Sequence, residues 1–461
     1  MVWLPGEGFD FADARQFNGA YLAALGQVIV VTVQYRVGVF GFLKGNNAAI
    51  WDQIAALRWI NENAAALGGS ADSVTLFGRF TGSMSISVLL SSPVTLQMEE
   101  KPLFSRAILM SGIAVGSWVF DQPEVNQVKA AQVLAHNNCA DLACLKAASA
   151  EEVLAKGGYG WKPVVDGQLI AEEPLAALRR GHFPRYVRSV MLGSNQFEGN
   201  LCLLKHMVVD GQLYSRLISN NVTTGEYAAA IRDDLQMFYG GEVTEGGEKE
   251  AMLQLRDGGL VQDRSTYVQF CAELLINSHM RSYGSALNLL AKRSVQKGGA
   301  DYSLSSVLRY KLDYKPSFSI APAFINSSIH GDDVILAFGL AYKDSSAMAA
   351  TEEDRAVSRQ MVALFSRFAA TGEAAVEELT EDNYLEISGS SSSRLASIKS
   401  TTTTTSYLQI TISSTQLVTL AVLSLALGLA AVFLVLVRLL LFSSSRRGEH
   451  LVKSMLAGDL N

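Results

Sequence analysis

Residues Thr75–Ser83 read "TLFGRFTGS". An apolar run ends on Gly78, a second glycine follows at Gly82, and the chain continues into "MSISVLL". β-Branched and aromatic residues up to a glycine favour a strand, and the apolar residues after the second glycine favour a helix. Two glycines four apart therefore predict a strand that turns sharply into a helix, with Phe80 at the apex.

Outward from this turn the same alternation repeats. "VWL" near the N-terminus reads as a strand, and "QVIVVTVQYRVGVFGFL" (27–43) predicts a buried strand ended by Gly38 and Gly41. "NNAAIWDQIAALRWINENAAALGG" spaces Ile50, Ile54, Leu57 and Ile60 for one helix face and stops at a glycine pair. "FSRAILMSG" and "SVMLGSNQFEG" are further short strands with glycine stops. Such β-turn-α succession predicts an α/β protein with a mostly parallel central sheet flanked by helices. Residues 200–330 are expected to be a helical layer over one sheet edge, with a Gly-rich hinge at "YGGEVTEGGE". Thr351 is expected to cap a helix whose apolar face is Val357, Met361, Leu364, Phe365 and Phe368. That face reads as core or, alternatively, as a contact with a second copy in a homodimer.

The 461 residues carry a net charge of −6, with no basic cluster in the main body, which argues against a nucleic-acid surface. No P-loop, dinucleotide fingerprint or metal-ligand motif is read, so neither a cofactor nor a metal is expected. The four cysteines, Cys139, Cys144, Cys202 and Cys271, are too few for a disulfide scaffold. Cys139 and Cys144 suit either a small closed loop or two buried thiols; no partner is assigned to Cys202 or Cys271.

The C-terminus predicts a membrane protein. Residues 417–437, "LVTLAVLSLALGLAAVFLVLV", run uncharged for long enough to cross a bilayer. Arg438, Arg446, Arg447 and Lys453 follow, so the tail (438–461) is expected in the cytoplasm and the head outside the cell. Between them "SGSSSSRLASIKSTTTTTS" opens a Ser/Thr-rich stalk (388–416). A secreted head needs a leader, and Met1 runs directly into "VWLPGEGF"; the expectation is that the chain is N-terminally incomplete. Asn221 in "NVT" and Asn326 in "NSS" are glycosylation sequons on such a head, with Asn326 close enough to His330 to be suspected of burial.

Six ordered blocks carry a resemblance: "VQYRVGVFGFL", "WDQIAALRWINENAAALGGSADSVTLFG", "LFSRAILMSG", "PVVDG", "GSNQFEG" and "HGDDVILAFG". Together they resemble the type-B carboxylesterase/cholinesterase family of α/β-hydrolases, from about Val2 to Ile387. The resemblance implies an α/β-hydrolase head over 1–387 and a pairing of Cys139 with Cys144. It also implies a Ser–Glu–His set, in which Glu198 matches the acid, His330 the base and Phe80 the nucleophile position of the G-x-S-x-G elbow. A phenyl ring has neither lone pair nor proton to offer, so the nucleophile is lost.

Two further departures point the same way. The family's H-G-G-G-F stretch appears as "PGEGF", so the oxyanion-hole positions are Glu7, Gly8 and Thr81, with a carboxylate where negative charge would develop. Arg79 stands where active relatives usually carry Glu. Ser83, Ser85 and Ser111 are not at the apex and do not replace the nucleophile. The Glu198 and His330 pair then reads as a buried hydrogen bond holding the sheet edge, in preference to a residual catalytic role.

A membrane-tethered head of this kind resembles the cholinesterase-like adhesion proteins, such as neuroligins and gliotactin. It implies a non-catalytic cell-surface protein with an extracellular protein partner. The alternative is a membrane-bound carboxylesterase in which Phe80 is a sequence error or another serine acts.

Overall fold

In the computed structural model, the described residues are 1–116, 118–239, 264–296, 304–343, 349–373, 383–388 and 396–400. Eight strands form one sheet: β1 (Val2–Leu4), β2 (Val31–Thr32), β3 (Thr75–Arg79), β4 (Arg106–Met110), β5 (Ser189–Asn195), β6 (Ser306–Leu312), β7 (Asn383–Ile387) and β8 (Ala396–Ser400). Their spatial order is β2-β1-β3-β4-β5-β6-β7-β8. Every pairing is parallel except β7 with β8. The parallel sheet predicted from the β-turn-α pattern is present.

The helices that bear on the site are α1 (Ala48–Asn63), α2 (Thr81–Leu89), α3 (Asn200–Val209), α4 (Thr224–Tyr239), α5 (Arg264–Ala272), α6 (Ser278–Gln296), α7 (Asp332–Ala337) and α8 (Glu352–Thr371). A parallel sheet must bury both faces, and two apolar cores do so here. One contains Leu4, Leu76 and Leu109 with Ile50, Ile54, Leu57 and Ile60 of α1. The other contains Trp3, Phe77, Ile108 and Met110 with Val357, Met361, Phe365 and Phe368 of α8. Successive residues of β3, Leu76 and Phe77, enter opposite cores, as the two-residue period of a strand requires. The apolar face of α8 is thus inside this chain's own core, and of its two readings the core reading holds. Thr351 caps α8 by accepting from the Asp354 amide, completing a capping box.

Three expectations are corrected. The strand expected over 27–43 shrinks to Val31–Thr32, half-buried at the sheet edge, and Gly38 begins a five-residue helix. Its β-branched run signals burial, but an edge strand has one neighbour to pair with and ends early. Residues 200–330 are not solely helical: Ser306–Leu312 is a strand between β5 and β7, hidden from pattern reading by its charged positions Arg309 and Lys311. The sheet also extends past 387, since Ala396–Ser400 pairs with β7 inside the expected stalk.

The Gly-rich hinge after Tyr239, the rest of the stalk, the expected span at 417–437 and the tail lie outside the described residues. Among the described residues no helix is long and apolar enough to cross a membrane.

Candidate functional site

The strand-to-helix turn is built as the glycines predict. Phe80 links β3 to α2 with φ 50° and ψ −115°. A bulky residue at positive φ is strained by about 1–3 kcal/mol, so surrounding structure must hold it there. Its amide donates to the Met110 carbonyl at 3.0 Å, and its carbonyl accepts from the Met84 amide at 2.8 Å. The glycines make room for β1. A Cβ at Gly78 would stand 2.9 Å from the Leu4 carbonyl oxygen, and one at Gly82 would collide with that same oxygen. Across the turn a Cβ on Gly112 would come within 2.6 Å of the Phe80 carbonyl oxygen. These contacts involve backbone only, so the elbow is indifferent to the side chain at its apex.

That side chain packs between two aromatic rings. The Phe80 ring lies 5.2 Å from the His330 ring, edge to face, and 6.1 Å from the Trp118 ring, stacked at 26°.

Opposite it, the loops after β5 and before α7 are joined by a bridge between Phe197 and Ile329. The bridge brings His330 Nδ1 to 2.7 Å from Glu198 Oε2. Glu198 is fully buried, and its Oε1 accepts from the Asn195 amide at 2.5 Å and the Ser111 hydroxyl at 2.6 Å. Burial pushes this carboxyl up, but the His330 charge and hydrogen bond, the Asn195 amide and the Ser111 hydroxyl outweigh it and hold it below its ordinary value. Asn200 Oδ1 accepts the His330 backbone amide at 3.0 Å, fixing the loop. His330 Nε2 is buried without a hydrogen-bond partner. An acid–imidazole pair is therefore assembled, and the ring set edge to face with its imidazole is a phenyl.

Glu7 and Arg79, read from sequence as separate departures, form an ion pair. Arg79 is mostly buried; burial lowers its pKa, opposed by the charges of Asp333 and Glu198. Its guanidinium also lies beneath Gly331, where a Cβ would strike it. The Glu7 amide donates to the Phe11 carbonyl at 2.9 Å, so one of the three expected oxyanion donors is engaged within its own loop. Gly8 follows with φ 69°, and Thr81 Oγ1 accepts the Phe9 amide at 3.3 Å. The loop carrying Glu7 is thus tied to the first residue of α2.

Sequence reading missed Asp332 and Asp333, although "HGDD" shows two acids directly after His330. Asp333 accepts from the Tyr310 hydroxyl at 2.7 Å; burial, then the charge of Glu198, raise its pKa. Asp332 Oδ2 accepts from the Ser319 hydroxyl at 2.8 Å and the Ile329 amide at 3.0 Å, and burial raises its pKa to about 6.

The serines near the turn are committed elsewhere. Ser83 donates to the Gly112 carbonyl at 2.5 Å, Ser85 to the Thr81 carbonyl at 2.9 Å, and Ser111 to Glu198. All three are fully buried.

Cys139 and Cys144 are bonded, as the resemblance implies, and Cys202 and Cys271, left unassigned by the sequence, are bonded to each other. Asn221 is exposed, and so is Asn326, correcting the suspicion that its nearness to His330 buries it. Among the described residues, the one side-chain group suited to a metal is Cys202, Asp234 and Cys271, outside the cleft.

The model of the carboxylesterase family matches residues 1–419. Carboxylesterase 5A of Canis lupus familiaris is 31% identical over 399 residues, covering 81% of this chain and 63% of that protein. Carboxylesterase 5A of Homo sapiens is 30% identical over 398 residues, covering 81% of this chain and 62% of that protein. Neuroligin-3 of Mus musculus is 36% identical over 215 residues, 43% of this chain and 25% of that protein. The chain thus spans under two thirds of the length of these relatives.

Proposed function

Since the chain belongs to the carboxylesterase family, we propose that it is a non-catalytic member: a cholinesterase-like cell-surface protein acting in adhesion or in protein and ligand binding. One observation carries the reading. Phe80 stands at the apex of the elbow with its ring edge-on to His330, where a nucleophilic oxygen would have to be. The Glu7 backbone supports it, because its amide, one of the expected oxyanion donors, is already bonded to the Phe11 carbonyl. On this reading the head binds an extracellular protein partner, residues 417–437 anchor it in the plasma membrane, and the exposed Asn221 and Asn326 carry glycans.

The second reading is a membrane-bound carboxylesterase acting on carboxylic esters. It is favoured by the assembled Glu198 and His330 pair and by relatives named as carboxylesterases over 81% of the chain.

A fluorophosphonate probe and a short-chain aryl ester separate the two. The natural chain is expected to be inert to both, and Phe80→Ser to label and to turn over at least about 10³-fold faster, a fraction of the roughly 10⁶-fold that a triad serine supplies. Labelling of the natural chain at any serine would overturn the non-catalytic reading.

A further inference from the structure

The second disulfide sits among charged groups that a disulfide does not need. Helix α3 carries Cys202 and His206, four apart and so on one face; α5 carries Tyr267 and Cys271 at the same spacing. Asp234 of α4 enters between them. Cys202 Sγ, Cys271 Sγ and a carboxylate oxygen of Asp234 all lie within 4.8 Å of one another, and all three residues are buried. Cys271 Sγ is 3.7 Å from Asp234 Oδ2. The Lys205 ammonium pairs with Asp234, the Tyr267 hydroxyl donates to it, and His206 Nε2 is 2.7 Å from that hydroxyl and 3.8 Å from Asp234 Oδ1.

Taking a carboxylate and an ammonium out of water costs several kcal/mol per ion before their attraction is counted. A neutral S–S bond draws nothing from that arrangement. Two thiolates and a carboxylate, with an imidazole close by, are instead the donor types that suit a borderline-soft divalent ion. The charges also close: two thiolates and Asp234 give −3, the ion +2 and Lys205 +1.

We propose that, when the Cys202–Cys271 bond is reduced, Cys202, Asp234 and Cys271 bind a Zn²⁺ ion, with a solvent molecule at the fourth position and Lys205 neutralising the site. A dithiol reductant supplies two electrons and two protons to the S–S bond and is itself oxidised to its disulfide. Zinc then displaces both thiol protons to solvent as two Zn–S bonds form. With Zn–S bonds of about 2.3 Å at a tetrahedral angle, the sulfurs move to about 3.8 Å apart, a small shift between α3 and α5. A small-molecule disulfide reverses this: it takes two electrons from the two thiolates and two protons from solvent to become its thiols, the S–S bond re-forms and the ion leaves.

The consequence reaches the cleft. Helix α3 begins at Asn200, whose side chain holds the His330 amide, and a Cβ at Gly199 would come within 2.6 Å of the Ala272 amide of α5. Disulfide and metal would clamp the same two helices. This inference does not rest on the non-catalytic reading.

The test uses the full chain carrying Cys139→Ser and Cys144→Ser, so that the other pair contributes no thiol. Metal content is measured after equilibration with micromolar Zn²⁺, with and without a phosphine reductant. The expected result is one zinc per reduced chain and none per oxidised chain, falling at least tenfold in Asp234→Asn and in Cys202→Ser. Co²⁺ in place of Zn²⁺ should give thiolate charge-transfer absorption in the reduced chain alone. A reduced chain that is folded by circular dichroism and takes up no zinc overturns the proposal, as does zinc retained in both variants. If reduction unfolds the chain, one equivalent of zinc must restore the fold; failure to do so overturns it equally.

Discussion

The two sides of the cleft face each other across 5.2 Å, between the rings of Phe80 and His330, and they have been kept in different ways. On the His330 side the side chains are retained: Glu198 accepts from Asn195, Ser111 and His330. On the Phe80 side only the backbone is retained: φ 50° at the apex, glycines at 78, 82 and 112, and the Met110 and Met84 hydrogen bonds. The buried acid is costly to unpair, so its partners persist for stability as well as for chemistry. The apex side chain packs against Trp118 and His330 and against the edge of one core, and none of the backbone contacts of the turn depends on it. The strained turn is thus held by neighbouring backbone, whatever side chain stands at its apex.

The most severe way to break this comparison is to restore the missing oxygen and then remove the other side. In a Phe80→Ser background, His330→Ala is expected to remove at least about 10³-fold of the turnover gained, since the two groups act as a unit. Turnover that survives His330→Ala would mean that the retained pair holds structure alone and that the gained activity comes from elsewhere.

A second break acts on the backbone. Gly82→Ala would drive a Cβ into the Leu4 carbonyl, which belongs to a central strand and cannot move aside. We expect a loss of about 3 kcal/mol or more, read as a fall in the midpoint of urea unfolding. Gly211→Ala, with open space around it, should change stability by about 0.5 kcal/mol or less. If both variants unfold alike, the elbow is not packed as tightly as its contacts imply.

How far this division was readable beforehand follows from what each part depends on. The central strands and α1 were legible because apolar period and glycine stops are local signals. That Glu198, His330 and Phe80 come together was legible through blocks of resemblance. Strand β6 was not, because Arg309 and Lys311 break its apolar run, and only its neighbours β5 and β7 make it a strand. The pairing of Glu7 with Arg79 was not, because nothing local in the chain brings a loop at 7 to the end of a strand at 79; the opposite signs were the one available clue. The pairing of Cys202 with Cys271 was hidden likewise, 69 residues apart across two helices.

That ion pair sharpens the comparison further. If Glu7 belongs to the silenced side, Glu7→Gly in the Phe80→Ser background should raise turnover about tenfold by removing a carboxylate from the oxyanion loop. A fall instead would show that Glu7, by holding Arg79, positions the loop under Gly331 and serves the His330 side.

The smallest expected effect tests how charge is carried beside His330. Asp332 has its pKa raised to about 6, chiefly by burial and further by the charges of Asp333 and Glu198. A carboxyl whose folded value exceeds its unfolded value favours the fold at acid pH. That contribution is present below about pH 4 and is lost as pH rises through about 6. The two units correspond to a ceiling of about 3 kcal/mol, which relaxation and water entry bring to about 1. Asp332→Asn removes the charge and keeps its hydrogen bonds, because Ser319 and Ile329 both donate to one oxygen, Oδ2, which the amide oxygen replaces. The variant should therefore be more stable than the natural chain by about 1 kcal/mol at pH 7.5, and the gain should vanish by pH 4. Glu198, whose value is lowered, contributes with the opposite sign, losing stability as pH falls, and is common to both chains. The difference between their unfolding profiles hence reports Asp332 together with the change its charge imposes on Asp333 and Glu198. A gain that persists at pH 4 would assign the effect to packing, and a loss at pH 7.5 would mean that the Asp332 charge is needed where it stands.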